Sequence, residues 1–180
     1  MTLKKVIPFF VLAVCLLACK KNNSNSSGNY HFTATIDGKA QTFNVSPMAV
    51  RITNGGYSII SIEGFTAASS TTQILALSWD NVPAVSSTFT TGNYSDTAST
   101  YGLSANYNPT TNESYIAGGE VIAYPTGTLP TGVNHLKITI SSLDSTAVKG
   151  TFSGDFFYNA DPTAAKKTIT NGDFYVPWKK

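Results

Sequence analysis

Three observations predict a single all-β domain, an antiparallel β-sandwich of about ten strands with an up-and-down β-barrel as the alternative. From Tyr30 onward apolar residues recur at every second position, and no stretch sustains a helical repeat. Turn signals such as Asp37-Gly38 and Asn54-Gly55-Gly56 interrupt the alternation at short intervals. Charged residues form only 12% of the chain, so its polar faces are wetted mainly by hydroxyls and amides.

Ahead of the domain, Lys4 and Lys5 precede an uncharged run, Val6 to Leu17, that ends in small Ala18. A basic start, a short apolar run and a small residue are the layout of a secretory signal, here residues 1–18. The run is also well short of the roughly 20 apolar residues that span a bilayer. Leu16-Leu17-Ala18-Cys19 resembles the lipobox of bacterial lipoproteins. The resemblance implies that Cys19 is lipidated and that the mature chain is anchored in the membrane through its acylated cysteine. Several acyl chains, each contributing about 0.8 kcal/mol per buried CH₂, make such attachment effectively permanent. The only other cysteine, Cys15, lies inside the signal, so the mature chain forms no internal disulfide. Residues 19–29, rich in Asn and Ser, read as a flexible tether, and 30–178 as the domain.

The first hairpin is the clearest element. Tyr30, Phe32, Ala34 and Ile36 alternate with polar residues, Asp37-Gly38 supplies a type I′ turn, and Lys39–Val45 returns. Strands follow at Ala49–Thr53, Tyr57–Glu63, Gln73–Trp79, Thr100–Tyr107, Tyr115–Tyr124, His135–Ser142, Lys149–Tyr158 and Thr168–Val176. The stretch 80–99 has no clear period and holds at most a short strand at Ser87–Thr91. Pro125–Gly132 and Asn159–Lys167 read as loops. Alternation assigns Leu136, Ile138 and Ile140, Phe152 and Phe156, Leu75, Leu77 and Trp79, and Phe174 and Val176 to the core.

Charge excludes one class of function. Without Lys4 and Lys5 the mature chain has 10 Lys/Arg against 10 Asp/Glu, and setting aside Lys20-Lys21 and Lys179-Lys180 leaves the domain at −4. No basic cluster is available to neutralise phosphates along a polynucleotide, so nucleic acid is not an expected partner.

The search for chemistry starts from the titratable residues. His31 and His135 alternate with apolar neighbours and lack a second ligand at metal-binding spacing, so both are expected on polar faces, unpartnered, with no metal site. Glu63, Glu120 and Asp155 stand in strands, and they are the carboxylates from which a hydrolytic pair would have to come. No nucleophile elbow, phosphate loop or dinucleotide fingerprint is present, so no catalytic residue and no cofactor are assigned. Phe157 and Tyr175 are out of phase with their strands' apolar sets, which suggests either rim packing or an aromatic glycan-binding face.

Two stretches, FTATIDGKAQTF near the start and GTFSGDFFYNA with TITNGDFYVP near the end, are similar to those of small Bacteroidetes-type lipoproteins of unknown function. The resemblance implies a lipid-tethered β domain at the outer membrane and carries over only Cys19. Asp96-Thr97-Ala98 and Asp144-Ser145-Thr146 resemble sites that such bacteria O-glycosylate after export, which marks Thr97 and Ser145. The expected function is a non-catalytic, lipid-anchored envelope module that binds a glycan, another ligand or a partner protein. The alternative is an envelope hydrolase acting on polysaccharide or peptidoglycan with paired carboxylates.

If Cys19 carries the anchor, Cys19→Ser leaves either unprocessed precursor or protein free of the membrane. Fatty-acid labelling of this variant is expected to be absent, and label on it would refute the assignment.

Overall fold

The structure is a computed structural model that describes residues 29–54, 57–67, 74–81, 89–97, 101–119 and 131–179. The signal, Cys19, nearly all of the tether and Glu120 lie outside the described residues. Eleven strands form one sheet, antiparallel at every strand pairing and curled into a half-barrel. They are β1 (His31–Ile36), β2 (Lys39–Thr42), β3 (Val45–Asn54), β4 (Tyr57–Phe65), β5 (Ile74–Asn81), β6 (Gly92–Ser95), β7 (Tyr101–Thr110), β8 (Glu113–Gly118), β9 (Lys137–Leu143), β10 (Ala147–Tyr158) and β11 (Lys166–Pro177).

The order is β2-β1-β11-β10-β8-β7-β5-β4-β3, with β9 and β6 on a side branch. The branch arises at β10. One edge of this twelve-residue strand pairs with β11 along most of its length, while the other is shared between β9, at Val148–Ser153, and β8, at Phe157 and Tyr158. The sheet returns on itself where Ala49 of β3 bridges Trp178 in parallel and the Lys179 N–H donates to the Ala49 carbonyl at 2.8 Å.

The expected turn between β1 and β2 is present, with Asp37 at φ 48° and Gly38 at φ 79°, the two positive values of a type I′ turn. Other strand limits moved for local reasons. β3 begins at Val45 rather than Ala49 because its pairing with β4 skips across Ser46-Pro47, a bulge that accommodates a proline without an N–H to donate. Of the short strand expected at Ser87–Thr91, the first two residues lie outside the described residues and Phe89–Thr91 are not in a strand; the strand observed here is Gly92–Ser95, where Tyr94 is buried. β8 ends at Gly118, and the remainder of the expected Tyr115–Tyr124 strand lies outside the described residues beyond Gly119.

The core fills the concave face. Leu75, Leu77, Leu136, Ile138, Ile140, Phe152, Phe156, Phe174 and Val176 are all buried, as alternation predicts, while the Trp79 side chain lies outside the description. Rings form a continuous path from Phe174 and Phe152 through Phe32 to Phe43, then Tyr107, Tyr115 and Tyr158, with successive centroids 5.5–6.4 Å apart. These tilted and edge-on contacts add to the burial term. Phe43, in the β2–β3 connection, ties the two wings of the sheet together. Its N–H donates to the Phe32 carbonyl at 2.7 Å, and its own carbonyl faces Gly64 on β4.

That approach leaves no room for a side chain at Gly64: a Cβ there would press on the Phe43 carbonyl oxygen and come within 2.8 Å of the Phe32 ring. Gly64→Ala is therefore expected to destabilise the domain by about 2–3 kcal/mol in urea unfolding. A variant as stable as the parent would show that the wings do not pack this closely.

Candidate functional site

At one end of the half-barrel the ring path stops being phenylalanine and opens onto a cleft of about 220 Å³. The β1–β2 hairpin contributes Ile36, Asp37, Lys39 and Gln41, the β7–β8 hairpin contributes Tyr107, Pro109, Glu113 and Tyr115, and β11 contributes Lys167. Tyr107 and Tyr115, 4% and 7% exposed, line the cleft as buried residues. The Lys167 ammonium donates to Asp37 Oδ2 at 2.9 Å and stands 5.6 Å from the Tyr115 ring centroid. The other Asp37 oxygen accepts the Thr168 N–H at 2.9 Å. Partial burial pushes the Asp37 carboxyl up, but Lys167 and the Thr168 N–H pull it further down, so it lies below the ordinary carboxylate range. Lys167 is raised in turn by its bond to Asp37. Burial raises the Tyr107 phenol, keeping it a neutral donor.

Of the carboxylates singled out from sequence, Glu120 lies outside the described residues, and Glu63 and Asp155 do not converge here. Glu63 is half-buried on β4, and β5, β7 and β8 separate that strand from β10, which carries Asp155. Asp155 is fully engaged elsewhere. It accepts the Asn134 N–H at 3.0 Å, the Asn134 amide at 3.3 Å, the Thr168 hydroxyl at 2.8 Å and the Lys166 ammonium at 2.7 Å, and its side chain is 0% exposed. Burial acts to raise its pKa, yet the donors from Asn134, Lys166 and Thr168 outweigh burial and hold it low.

Both histidines have carboxylate partners, contrary to expectation. His31 Nε2 lies 2.9 Å from Asp173 Oδ2, and its Nδ1 lies 3.0 Å from the Asn29 carbonyl. His135 Nδ1 lies 2.9 Å from Asp96 Oδ1, while Asp96 Oδ2 accepts the Leu136 N–H at 2.9 Å. Alternation placed both rings correctly on the polar side, where they keep 31% and 39% exposure. It could not report partners 142 and 39 residues away. No group of three or more His, Cys, Asp or Glu among the described residues is arranged to hold a metal ion.

Of the two out-of-phase aromatics, Phe157 is buried and offers no binding face. Tyr175 remains half-exposed outside the barrel, 5.0 Å from the Tyr30 ring and 6.4 Å from His31. Thr97 and Ser145 are both exposed in turns. Thr97 Oγ1 lies 3.0 Å from the Ser95 hydroxyl, whereas Asp144 Oδ1 accepts the N–H groups of Thr146 and Ala147 and leaves Ser145 at the tip. Ala98 lies outside the described residues.

Sequence reading missed the cleft because each member had a simpler assignment. Asp37 was explained by its turn, Lys167 by a loop, and Tyr107 and Tyr115 by strand periodicity. The available signal was the pair of tyrosines flanking the NPTTNE hairpin tip, positions at which a purely structural core has no need of a hydroxyl. Compared with protein-family models, curated proteins and solved structures, the chain has no match.

The Asp155 geometry sets a pH dependence. A carboxyl held below its ordinary value of 3.8 stabilises the fold above that pH, and this contribution is lost as pH falls through the lower folded value. Asp155→Asn is expected to cost about 2–4 kcal/mol at pH 7, because Lys166 and Thr168 lose their anionic acceptor. The deficit relative to the parent should shrink as pH falls below 3.8 in urea titrations. Equal stability at pH 7 would contradict the structural role.

Proposed function

We propose that the protein is a lipid-tethered, non-catalytic module of the outer membrane that binds a sugar residue of an envelope glycan in the tyrosine-floored cleft. The observation that carries this reading is the composition of one half-open cavity: two buried tyrosines below, with Asp37, Lys39, Gln41, Glu113 and Lys167 around them. Its volume of about 220 Å³ suits a single sugar ring and lies below the roughly 300–1,000 Å³ of larger ligand pockets. Formal charges in the lining balance, two lysines against two carboxylates, so the site suits a neutral polyol that exchanges hydrogen bonds with both donors and acceptors.

The hydrolase alternative draws on Asp37 and Glu113 sharing this cleft. A general acid needs a carboxyl that retains its proton, normally one whose pKa is raised. Asp37 is shifted the other way by Lys167 and Thr168, which suits an acceptor for a sugar hydroxyl better than an acid.

Titration of the mature protein with a panel of monosaccharides and envelope glycan fragments, followed by NMR, is expected to shift Tyr107, Tyr115 and Lys167. Lys167→Ala should weaken binding about ten-fold, equivalent to about 1.4 kcal/mol. An unchanged affinity would remove the cleft as the site. Hydrolysis that disappears in Asp37→Asn would favour the enzyme instead.

A further inference from the structure

The end of the domain opposite the cleft has a different chemistry. β1 starts at His31, where the tether enters, and ends at Ile36, beside the cleft. The antiparallel register His31↔Tyr175 places the end of β11 beside the tether, and Ala147↔Pro177 places the β9–β10 turn there too. β3 runs toward the same end, because its bridge to Trp178 is parallel. At this end Arg51, Asp144, Ser145, Trp178 and Lys179 line a cavity of about 290 Å³.

Arg51 is positioned but not consumed. Its guanidinium carbon lies 5.3 Å from the Trp178 ring centroid and 5.8 Å from that of Phe89. Its N–H donors have no hydrogen-bond or ion-pair partner among the described residues. Asp144 shares the cavity without pairing to Arg51; its Oδ1 is turned into its own hairpin by the Thr146 N–H and hydroxyl and the Ala147 N–H. Trp178 is fixed from two sides, its indole N–H donating to the Asp144 carbonyl at 2.7 Å and its backbone N–H to Thr146 at 3.1 Å. Lys179 adds a second cation, and Ile52, next to Arg51, is 52% exposed. Two open cations, a half-exposed indole and an exposed aliphatic side chain together match the chemistry of a bilayer interface.

We infer that this end is a membrane-facing foot in which Arg51 and Lys179 take the phosphate oxygens of an anionic lipid headgroup. The inference rests on the lipid-tether reading for its choice of source: a chain held at Cys19 presents its tether end to the bilayer, so the phosphate nearest Arg51 belongs to a lipid. The guanidinium fork donates to two phosphate oxygens side by side, which a lysine at the same position cannot. Asp144 limits the site to a net single positive charge, so attraction is modest and headgroup contact orients a domain that the acyl chains hold.

The test uses the mature chain from Cys19 onward as Cys19→Ser, with Lys20→Gln and Lys21→Gln to remove the tether's own cations. Sedimentation with vesicles containing phosphatidylglycerol is expected to show weak binding that salt suppresses, with far less binding to pure phosphatidylcholine. Each cation near an anionic surface contributes about a five-fold factor, so Arg51→Gln with Lys179→Gln should lower vesicle partitioning roughly ten- to thirty-fold. Arg51→Lys should recover only part of that loss. Partitioning unchanged in the double variant overturns the proposal, and so does an Arg51 NMR response to inorganic phosphate without any vesicle binding, which would leave a free-phosphate site. A variant that merely loses stability is separated by Lys179→Gln alone, whose ammonium has no partner among the described residues; full partitioning by that folded variant also counts against the foot. Acylation of wild-type Cys19, measured separately by fatty-acid labelling, reports on the anchor and not on the foot.

Discussion

The architecture depends on what happens around Asp155. β10 must leave β9 and take up β8 along the same edge, and between Ser153 and Phe157 its outer backbone has no partner strand among the described residues. The segment ahead of β9 fills that gap through Asn134, whose carbonyl accepts the Asp155 N–H at 2.9 Å while its N–H and amide return to the Asp155 carboxylate. Lys166 and Thr168 of β11 close the group from the opposite strand. A buried carboxylate is costly unless its oxygens are fully paired, and here three residues supply donors to both of them. The branch point of the sheet is therefore held by polar bonds at a place where apolar packing alone cannot specify which strand comes next.

The same arrangement explains why so much of the fold was legible and the polar detail was not. Alternation depends only on neighbours two residues apart, so it placed Phe32, Leu77, Ile138 and Phe174 correctly without knowledge of strand order. Partners across the sheet are another matter. The His135–Asp96 and Lys167–Asp37 contacts join residues 39 and 130 apart, and both depend on which strands are adjacent. Local rules gave Asp37 a turn role that is correct but partial: the backbone does adopt the type I′ turn, and the carboxylate is then free to reach β11. Phe157 failed for the converse reason, since alternation assigns one exposed face to a strand, and at Gly154–Phe157 of β10 both faces are covered.

The cleft inherits its rigidity from the core. Tyr107 and Tyr115 belong to a ring path that begins at Phe174 and continues to Tyr158, so their positions are set by packing rather than by loop conformation. The polar rim is anchored just as firmly, because Asp37 is bonded to β11 through both carboxylate oxygens and through its own N–H to the Thr168 carbonyl. If the cleft binds as proposed, a site preorganised in this way would lose little conformational entropy on association, which would offset its small contact area. It also restricts the ligand to what fits between fixed groups, and a single sugar ring is of that size.

A consequence of strand direction joins the two ends of the molecule. β1 links the tether junction to the cleft in one uninterrupted strand of six residues, roughly 20 Å at about 3.3 Å per residue. The eleven residues 19–29, taken as the flexible linker their composition predicts, would add an average reach of roughly 18 Å and by themselves would point the cleft in no particular direction. Contact at the Arg51–Trp178 end would remove that freedom, because a domain resting on its foot holds the cleft outward at the full length of β1. On the proposed reading the lipid would supply attachment, the foot would supply orientation, and the cleft would face the glycan beyond the headgroups. With both chemistries at opposite ends of the same short strand, ligand access would then be tied to membrane contact without any moving part.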